Sequence, residues 1–357
     1  MSNIYSGIYV ERRELEESRM NKLNLMAMLG IEHPIIQAPM AGVTTPEFVA
    51  TSAEAGILGS IGAGYLSAEE TRNFIREVKS LTMKPFALNL FVPETVNPSQ
   101  EQLRGAYEAL QPIGKELGIP QWNTPFSKTE FEGQVQVLIE EGVKVCSFTF
   151  GLPDEKTVQL LKRNDVFLIG TATSIEEAEL AEQVGMDAVV VQGSEAGGHR
   201  GSFVGELKLI SLNELLLKVV SSVRLPVIAA GGIASKEKMV DVLASGAQAV
   251  QIGTVLLAAD ESGAHPLYKQ AVLDADKRCT VLTKAFSGKM ARGISNRFIS
   301  EMNEAIIAPY PFQNDLTKEI RKEAAKQGDT EFMSLWAGES VHLSTSGKLK
   351  NIIERFV

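Results

Sequence analysis

Short apolar runs recur along this chain, separated by stretches with the marks of helices. Ile57–Ile61, Phe86–Leu90, Val143–Phe150, Val166–Ile169, Ala188–Val191, Val227–Ala230 and Ala249–Ile252 are such runs, and Pro34–Pro39 is another at the front. Runs of this length without polar alternation read as strands buried on both faces. Thr45-Pro46-Glu47 joins an N-cap, a proline at the first helical position and an acid in the first turn. Ser67–Glu70, Ser174–Glu177 and Ser211–Glu214 read as capping boxes, and Ser235 as a further cap. Gly56, Gly142, Gly185 and Gly246 stand where helices end. The eight strand candidates alternate with helices, which predicts a (β/α)8 barrel; a doubly wound open sheet is the alternative.

Other segments depart from the repeat. Residues 93–130 carry Pro93, Pro98, Pro112, Pro120 and Pro125 around an amphipathic stretch, Gln100–Leu117, and read as an insertion after the third strand. Residues 261–345 show helical patterns at Pro266–Lys277, Thr317–Gln327 and Thr330–Ala337 and no clear strands, so a helical lid over the barrel mouth is expected. The expected organisation is an extension at 1–19, a barrel at 20–260, the lid at 261–345 and a C-terminal helix at 346–357.

Composition narrows the partners. The net charge is −9 over 357 residues, which argues against nucleic acid or an anionic membrane as the main partner. Cys146 and Cys279 are the two cysteines and suggest no disulfide framework. No signal core or membrane-spanning run is visible, so a cytoplasmic location is expected. Whether the chain forms a homo-oligomer is left open.

Candidate chemistry gathers after the strands. The run Ala188–Val191 opens into a loop holding Gly193, Gly197, Gly198 and Gly201 beside Ser194, Glu195, His199 and Arg200. Glycines let a backbone pass close to a ligand, and a histidine there can act as a base or as a donor to an anion. His33 and His265 each precede a proline and read as structural, and His342 lies in the tail. Gly231 and Gly232 follow the seventh strand, and Gln251–Thr254 ends the eighth. Loops at these two places in a barrel commonly cradle a phosphate. Gln37, Met40, Asn89, Thr149, Thr171 and Gln192 stand at other strand ends and suit a neutral ring system read by hydrogen bonds. Lys289 and Arg292, in a glycine-bearing basic stretch of the lid, are candidates to reach an anionic ligand. Neither a metal-ligand cluster nor a nucleophile elbow is present in the sequence.

Pro34–Gly42, Phe148–Pro153, Gln192–Gly201, Ala229–Ile233, Gln251–Thr254 and Lys284–Asn296 together resemble the nitronate monooxygenases, in the family's order, from about residue 20 to about residue 340. The resemblance implies an FMN-dependent barrel that oxidises alkyl nitronates with O2 to an aldehyde or ketone plus nitrite. By position it implies FMN contacts at Asn89, Gln192, Gly197, Gly231, Gly232, Gln251, Ile252, Gly253 and Thr254, with Pro39 and Met40 against the flavin. His199 matches the active-site histidine. Residues 1–19 and a short loop from Gly201 to Leu212 depart from the family pattern. FMN-containing enoyl-acyl-carrier-protein reductases resemble the chain at the same glycine loops and at Glu261–Pro266, and are the rival reading. A quinone reductase on this scaffold and a non-redox barrel binding a phosphorylated metabolite are further alternatives.

Overall fold

Eight parallel strands pair edge to edge in the computed structural model, which describes residues 25–119, 126 and 130–357. They are β1 (Ile35–Gln37), β2 (Gly59–Gly62), β3 (Phe86–Phe91), β4 (Val145–Thr149), β5 (Phe167–Ala172), β6 (Ala188–Gln192), β8 (Val227–Ala230) and β9 (Ala249–Ile252). A two-residue strand, β7 (Gly198–His199), falls between β6 and β8 and belongs to another sheet. The pairing order is β1-β9-β8-β6-β5-β4-β3-β2, and a bridge between Ile36 and Leu58 joins β1 to β2. The sheet is therefore a nearly closed barrel with helices between the strands, a TIM barrel as expected. The expected extension at 1–19, with Pro120 and Pro125, lies outside the described residues.

One side chain adds to the two backbone bonds that close the sheet, Gln37 N to Leu58 O at 2.9 Å and Leu58 N to Ile35 O at 3.0 Å. Gln37 is fully buried; its Nε2 donates to Ser60 O at 3.1 Å, and its Oε1 accepts from Ser60 N at 3.1 Å. The amide thus imitates a ladder rung where β1 and β2 share only one bridge. Gln37 was expected among the groups reading a ring system; it is instead consumed in the wall of the barrel.

The barrel interior is sealed where the strands begin. Ile36, Leu58, Val145, Ile169, Val190 and Ile228 form one buried cluster with Leu25 and Leu29 of the helical turn at 25–29. A larger cluster lies between strands and outer helices. Leu349, Ile352 and Ile353, on the helix Leu349–Glu354, join that larger cluster. This helix contacts the first barrel helix, Pro46–Glu54, and Lys236 Nζ at the start of the seventh donates to Val357 O at 2.9 Å. Its position is that of the eighth barrel helix, so the lid is inserted between the last strand and the last helix.

The capping expectations hold in part. Ser67 and Glu70 form the full reciprocal box. Ser174 caps its helix, but Glu177 turns inward and accepts from Phe203 N at 2.6 Å and Val204 N at 3.0 Å. Glu214 pairs with Lys218 at 2.7 Å instead of closing a box with Ser211.

One finding and one correction concern the lid. The helix Gln100–Glu116 from the 93–130 insertion buries Ala106, Leu110 and Ile113 in a second cluster with Phe286, Phe298, Ile320 and Phe332. The expected absence of strands is also overturned. β10 (Thr280–Thr283) and β11 (Ala291–Ile294) form an antiparallel sheet with β7, pairing Ala291 with His199. Strands this short show no period, and their partner β7 is remote in sequence, so local patterning could not reveal them.

Candidate active site

One cavity opens at the C-terminal ends of the strands. Every residue singled out by position lines it: Pro39, Met40, Asn89, Gln192, Gly197, His199, Gly231, Gly232, Gln251, Ile252, Gly253 and Thr254. Tyr65, Phe91, Phe150, Tyr268, Trp336 and Ser340 line it too and were missed. They come from loops and the lid, where aromatic residues carry no local signature of function. Phe150 has a positive φ of 71°, a cost of about 1–3 kcal/mol for a non-glycine residue. Strain of this kind at a cavity wall persists only where surrounding packing holds it.

The histidine loop is gripped from behind. Gln192 Nε2 donates to His199 O at 3.0 Å, and its Oε1 accepts from Gly201 N at 2.9 Å. The second Gln192 N–H and one Oε1 lone pair then remain for a ligand. Arg200 is fully buried, donates through Nη2 to Gln192 O at 2.8 Å, and donates through Nη1 to Gly193 O. Burial, then Arg292, pulls the Arg200 pKa down to about 10, while Glu177 and Glu195 oppose the shift. Arg200 N also donates to Met290 O at 2.8 Å, extending the sheet that carries His199.

The His199 ring stands among Trp336, Phe150 and Tyr310, with centroids at 5.3, 5.7 and 6.3 Å. Its Nε2 lies 2.8 Å from Ser287 Oγ. Enclosure by protein, then the charges of Arg321 and Lys289, push its pKa down to about 3. The resting imidazole is therefore neutral at physiological pH.

At the opposite end the cavity offers backbone donors. The N–H groups of Gly232, Ile233 and Gly253 have no protein acceptor among the described residues, and all three residues line the cavity. Gly231 and Gly232 reach this arrangement at φ of 116° and 67°, the left-handed region where glycine is favoured. The Ser235-capped helix Lys236–Ala244 follows immediately and adds its positive end. Thr254 Oγ1 accepts from Gly338 N at 3.0 Å, and Ser340 Oγ donates to Gly232 O at 3.0 Å, so the lid is bonded to both loops.

Between these ends, Asn89 Nδ2 donates to Ser147 Oγ at 2.9 Å and Thr149 Oγ1 at 3.1 Å. Its donors are spent on β4, which leaves Oδ1 as its acceptor. Lys289 and Arg292 separate in role. Lys289 Nζ lies 4.8 Å from the Phe150 ring centroid and 3.3 Å from Glu94 Oε2. Arg292 is buried, donating to Ser194 O at 3.1 Å and pairing with Glu339 at 2.9 Å, so it bonds the lid to the histidine loop and does not line the cavity. His265 caps the helix Pro266–Leu273 through Nδ1, the structural role expected of it. Cys146 is fully buried and its thiol is pushed up by burial. No group of His, Cys, Asp and Glu able to hold a metal occurs among the described residues, and no described helix is long and apolar enough to cross a membrane.

The family model for nitronate monooxygenase matches residues 22–357. The chain belongs to the nitronate monooxygenase family. It is a flavin-dependent oxidoreductase. A probable nitronate monooxygenase of Staphylococcus aureus (strain Newman) is 43% identical over 343 residues, covering 94% of this chain and 97% of its own. The crystal structure of nitroalkane oxidase from Streptomyces ansochromogenes superposes with a TM-score of 0.87 at 37% identity, covering 91% of this chain and 95% of that one. FabK from Thermotoga maritima has a TM-score of 0.73 at 34% identity, covering 93% and 94%.

Proposed function

We propose that this protein is an FMN-dependent enzyme that oxidises alkyl nitronates with O2 to an aldehyde or ketone plus nitrite. One observation carries the reading: a single cavity joins an anion cradle of free backbone N–H groups to an enclosed neutral histidine. The donor set fits FMN in particular. A flavin with one terminal phosphate needs one anion site and one ring site, and the cavity has one of each. Gly232, Ile233 and Gly253 would hold the phosphate. Asn89 Oδ1, the free Gln192 N–H and Gln251 would meet the polar edge of the ring, with Pro39 and Met40 against its face. The bound FMN would accept electrons from the nitronate and pass them to O2.

The chain's own contribution is positioning, exclusion of water and movement of one proton. Phe91, Phe150 and Trp336 surround the substrate end with apolar surface, which strengthens every charge interaction inside. A neutral nitroalkane must lose its α-proton before oxidation, and His199 would accept it. A nitronate has already lost that proton, and for it the imidazole orients the anion.

A second reading, an NADH-dependent enoyl reductase, follows from the rival resemblance at the glycine loops and Glu261–Pro266, and FabK is among the similar structures. An anaerobic titration of the holoenzyme separates the two. Bleaching of the flavin by a nitronate, with oxygen uptake that needs no NADH, supports the proposal. Bleaching by NADH alone, with turnover of an enoyl thioester, moves the assignment to the reductase. A purified protein without a flavin spectrum would overturn both.

A further inference from the structure

Ser287 lies 88 residues from His199 in the chain and touches its ring at 2.8 Å. The serine is 1% exposed. Its neighbours are held on both sides: Gln313 Nε2 donates to Ala285 O at 2.8 Å and Thr317 Oγ1 to Phe286 O at 2.5 Å before it, and Gly288 N donates to Lys284 O at 2.8 Å after it. A hydroxyl has one proton to give and two lone pairs. Three groups compete for them here. Lys289 N–H donates to Ser287 Oγ at 3.3 Å, and a backbone N–H can only donate. Lys289 O accepts from Ser287 Oγ at 3.1 Å, and among the described residues it has no other donor. Those two contacts use the proton and one lone pair. The remaining lone pair faces His199 Nε2, an arrangement that favours a proton on Nε2. If the hydroxyl turned to Nε2 instead, the half-buried Lys289 O would lose the protein donor it has among the described residues. Nδ1 has no protein partner among the described residues.

We propose that Ser287 is a positioning residue that holds His199 in its Nε2–H tautomer, so that Nδ1 meets the substrate as a bare acceptor. This deepens the proposed nitronate reaction and rests on it for its consequence. A neutral nitroalkane gives its α-proton to Nδ1; the C–H bond breaks, its electron pair moves into the nitronate, and an imidazolium–nitronate pair results. A preformed nitronate cannot sit against a bare lone pair, so it binds with uptake of one proton from water at Nδ1. Both substrates arrive at the same ion pair. The charged and titratable groups around the ring are Lys289 with its partner Glu94, Arg321, and the Tyr310–Tyr65 pair beside Asp315. The two cations oppose the imidazolium until an anion arrives, which confines protonation to the complex.

The first test reads the tautomer in the ligand-free holoenzyme by 15N NMR of labelled histidine. The expected result is a protonated Nε2 and a bare Nδ1 for His199; the reverse overturns the proposal whatever the enzyme oxidises. The second uses propionate, a planar two-oxygen anion with no oxidisable C=N bond, followed through the flavin spectrum. Its binding at pH 8 is expected to take up ~1 proton per site in the wild type and in Ser287→Thr, and close to none in Ser287→Ala, whose imidazole is free to offer Nδ1–H. Uptake in Ser287→Ala equal to that of the wild type would overturn it. Failure of nitronate oxidation with the expected tautomer would count against the proposed reaction alone.

Discussion

Gly197 and Gly338 meet backbone to backbone: a Cβ on Gly197 would come within 2.4 Å of Gly338 N. The first belongs to the barrel's histidine loop and the second to the lid. Glycine is required at 197 by the lid as much as by any ligand. Gly197→Ala is expected to destabilise the protein by about 1–3 kcal/mol through overpacking, and to loosen the loops that the lid clamps. Thermal melting with flavin release as a second signal checks this; an unchanged melt with full flavin retention would contradict it.

Gln37→Leu tests the closure of the barrel. The substitution removes both amide bonds to Ser60 and leaves a buried N–H and C=O unpaired, at about 1–3 kcal/mol each. Urea unfolding should show a lower midpoint with an unchanged slope. The flavin spectrum of the surviving folded protein should be normal, since Gln37 is part of the wall and not of the site.

His199→Asn separates acid stability from catalysis. The folded His199 pKa is pushed down to about 3 from 6.5, so the unfolded chain binds more protons between these values. Stability from the neutral ring is complete above about pH 6.5 and is lost as pH falls towards 3. The asparagine variant should therefore lose less stability than the wild type between pH 6.5 and pH 4, as read from melts across that range. Its turnover of neutral nitroalkanes should fall about 100-fold or more, as for loss of a general base. Preformed nitronates should suffer less, and equal losses on both would argue against proton transfer at this residue.

Lys289→Met addresses the cation behind Phe150, which lines the cavity. Its side chain is 16% exposed, whereas its partner Glu94 is 60% exposed, so an entering anion can take the place of Glu94. KM for an anionic nitronate is expected to rise roughly ten-fold, equivalent to about 1.4 kcal/mol, while KM for the neutral nitroalkane stays close to the wild-type value. A matched change in both would make Lys289 a packing residue only.

Much of this architecture is written locally. Short apolar strand runs, separated by helices whose starts carry caps and several of which end at a glycine, are enough for a parallel α/β barrel, because each mark satisfies a nearby backbone or packing need. Residues such as Asn89, Gln251 and Gly253 could be assigned to one site because all barrel loops that follow strands open on the same face. The aromatic wall escaped notice, since Tyr65, Phe150 and Trp336 look like core residues in any window of sequence.

The sequence by itself therefore determined the barrel, the family and the placement of His199 in a glycine loop. Tertiary structure decided what the polar side chains do. Gln37 and Gln192 were equivalent strand-end amides in the chain; one helps to close the barrel and the other braces the histidine loop. Ser287 lay in the Lys284–Asn296 stretch, but nothing there pointed to His199, because hydroxyl and imidazole are brought together by β7 and β11, which pair across long chain separations. A hydrogen-bonding group's role depends on which partners remain once its neighbours are satisfied, and that is a property of the folded arrangement.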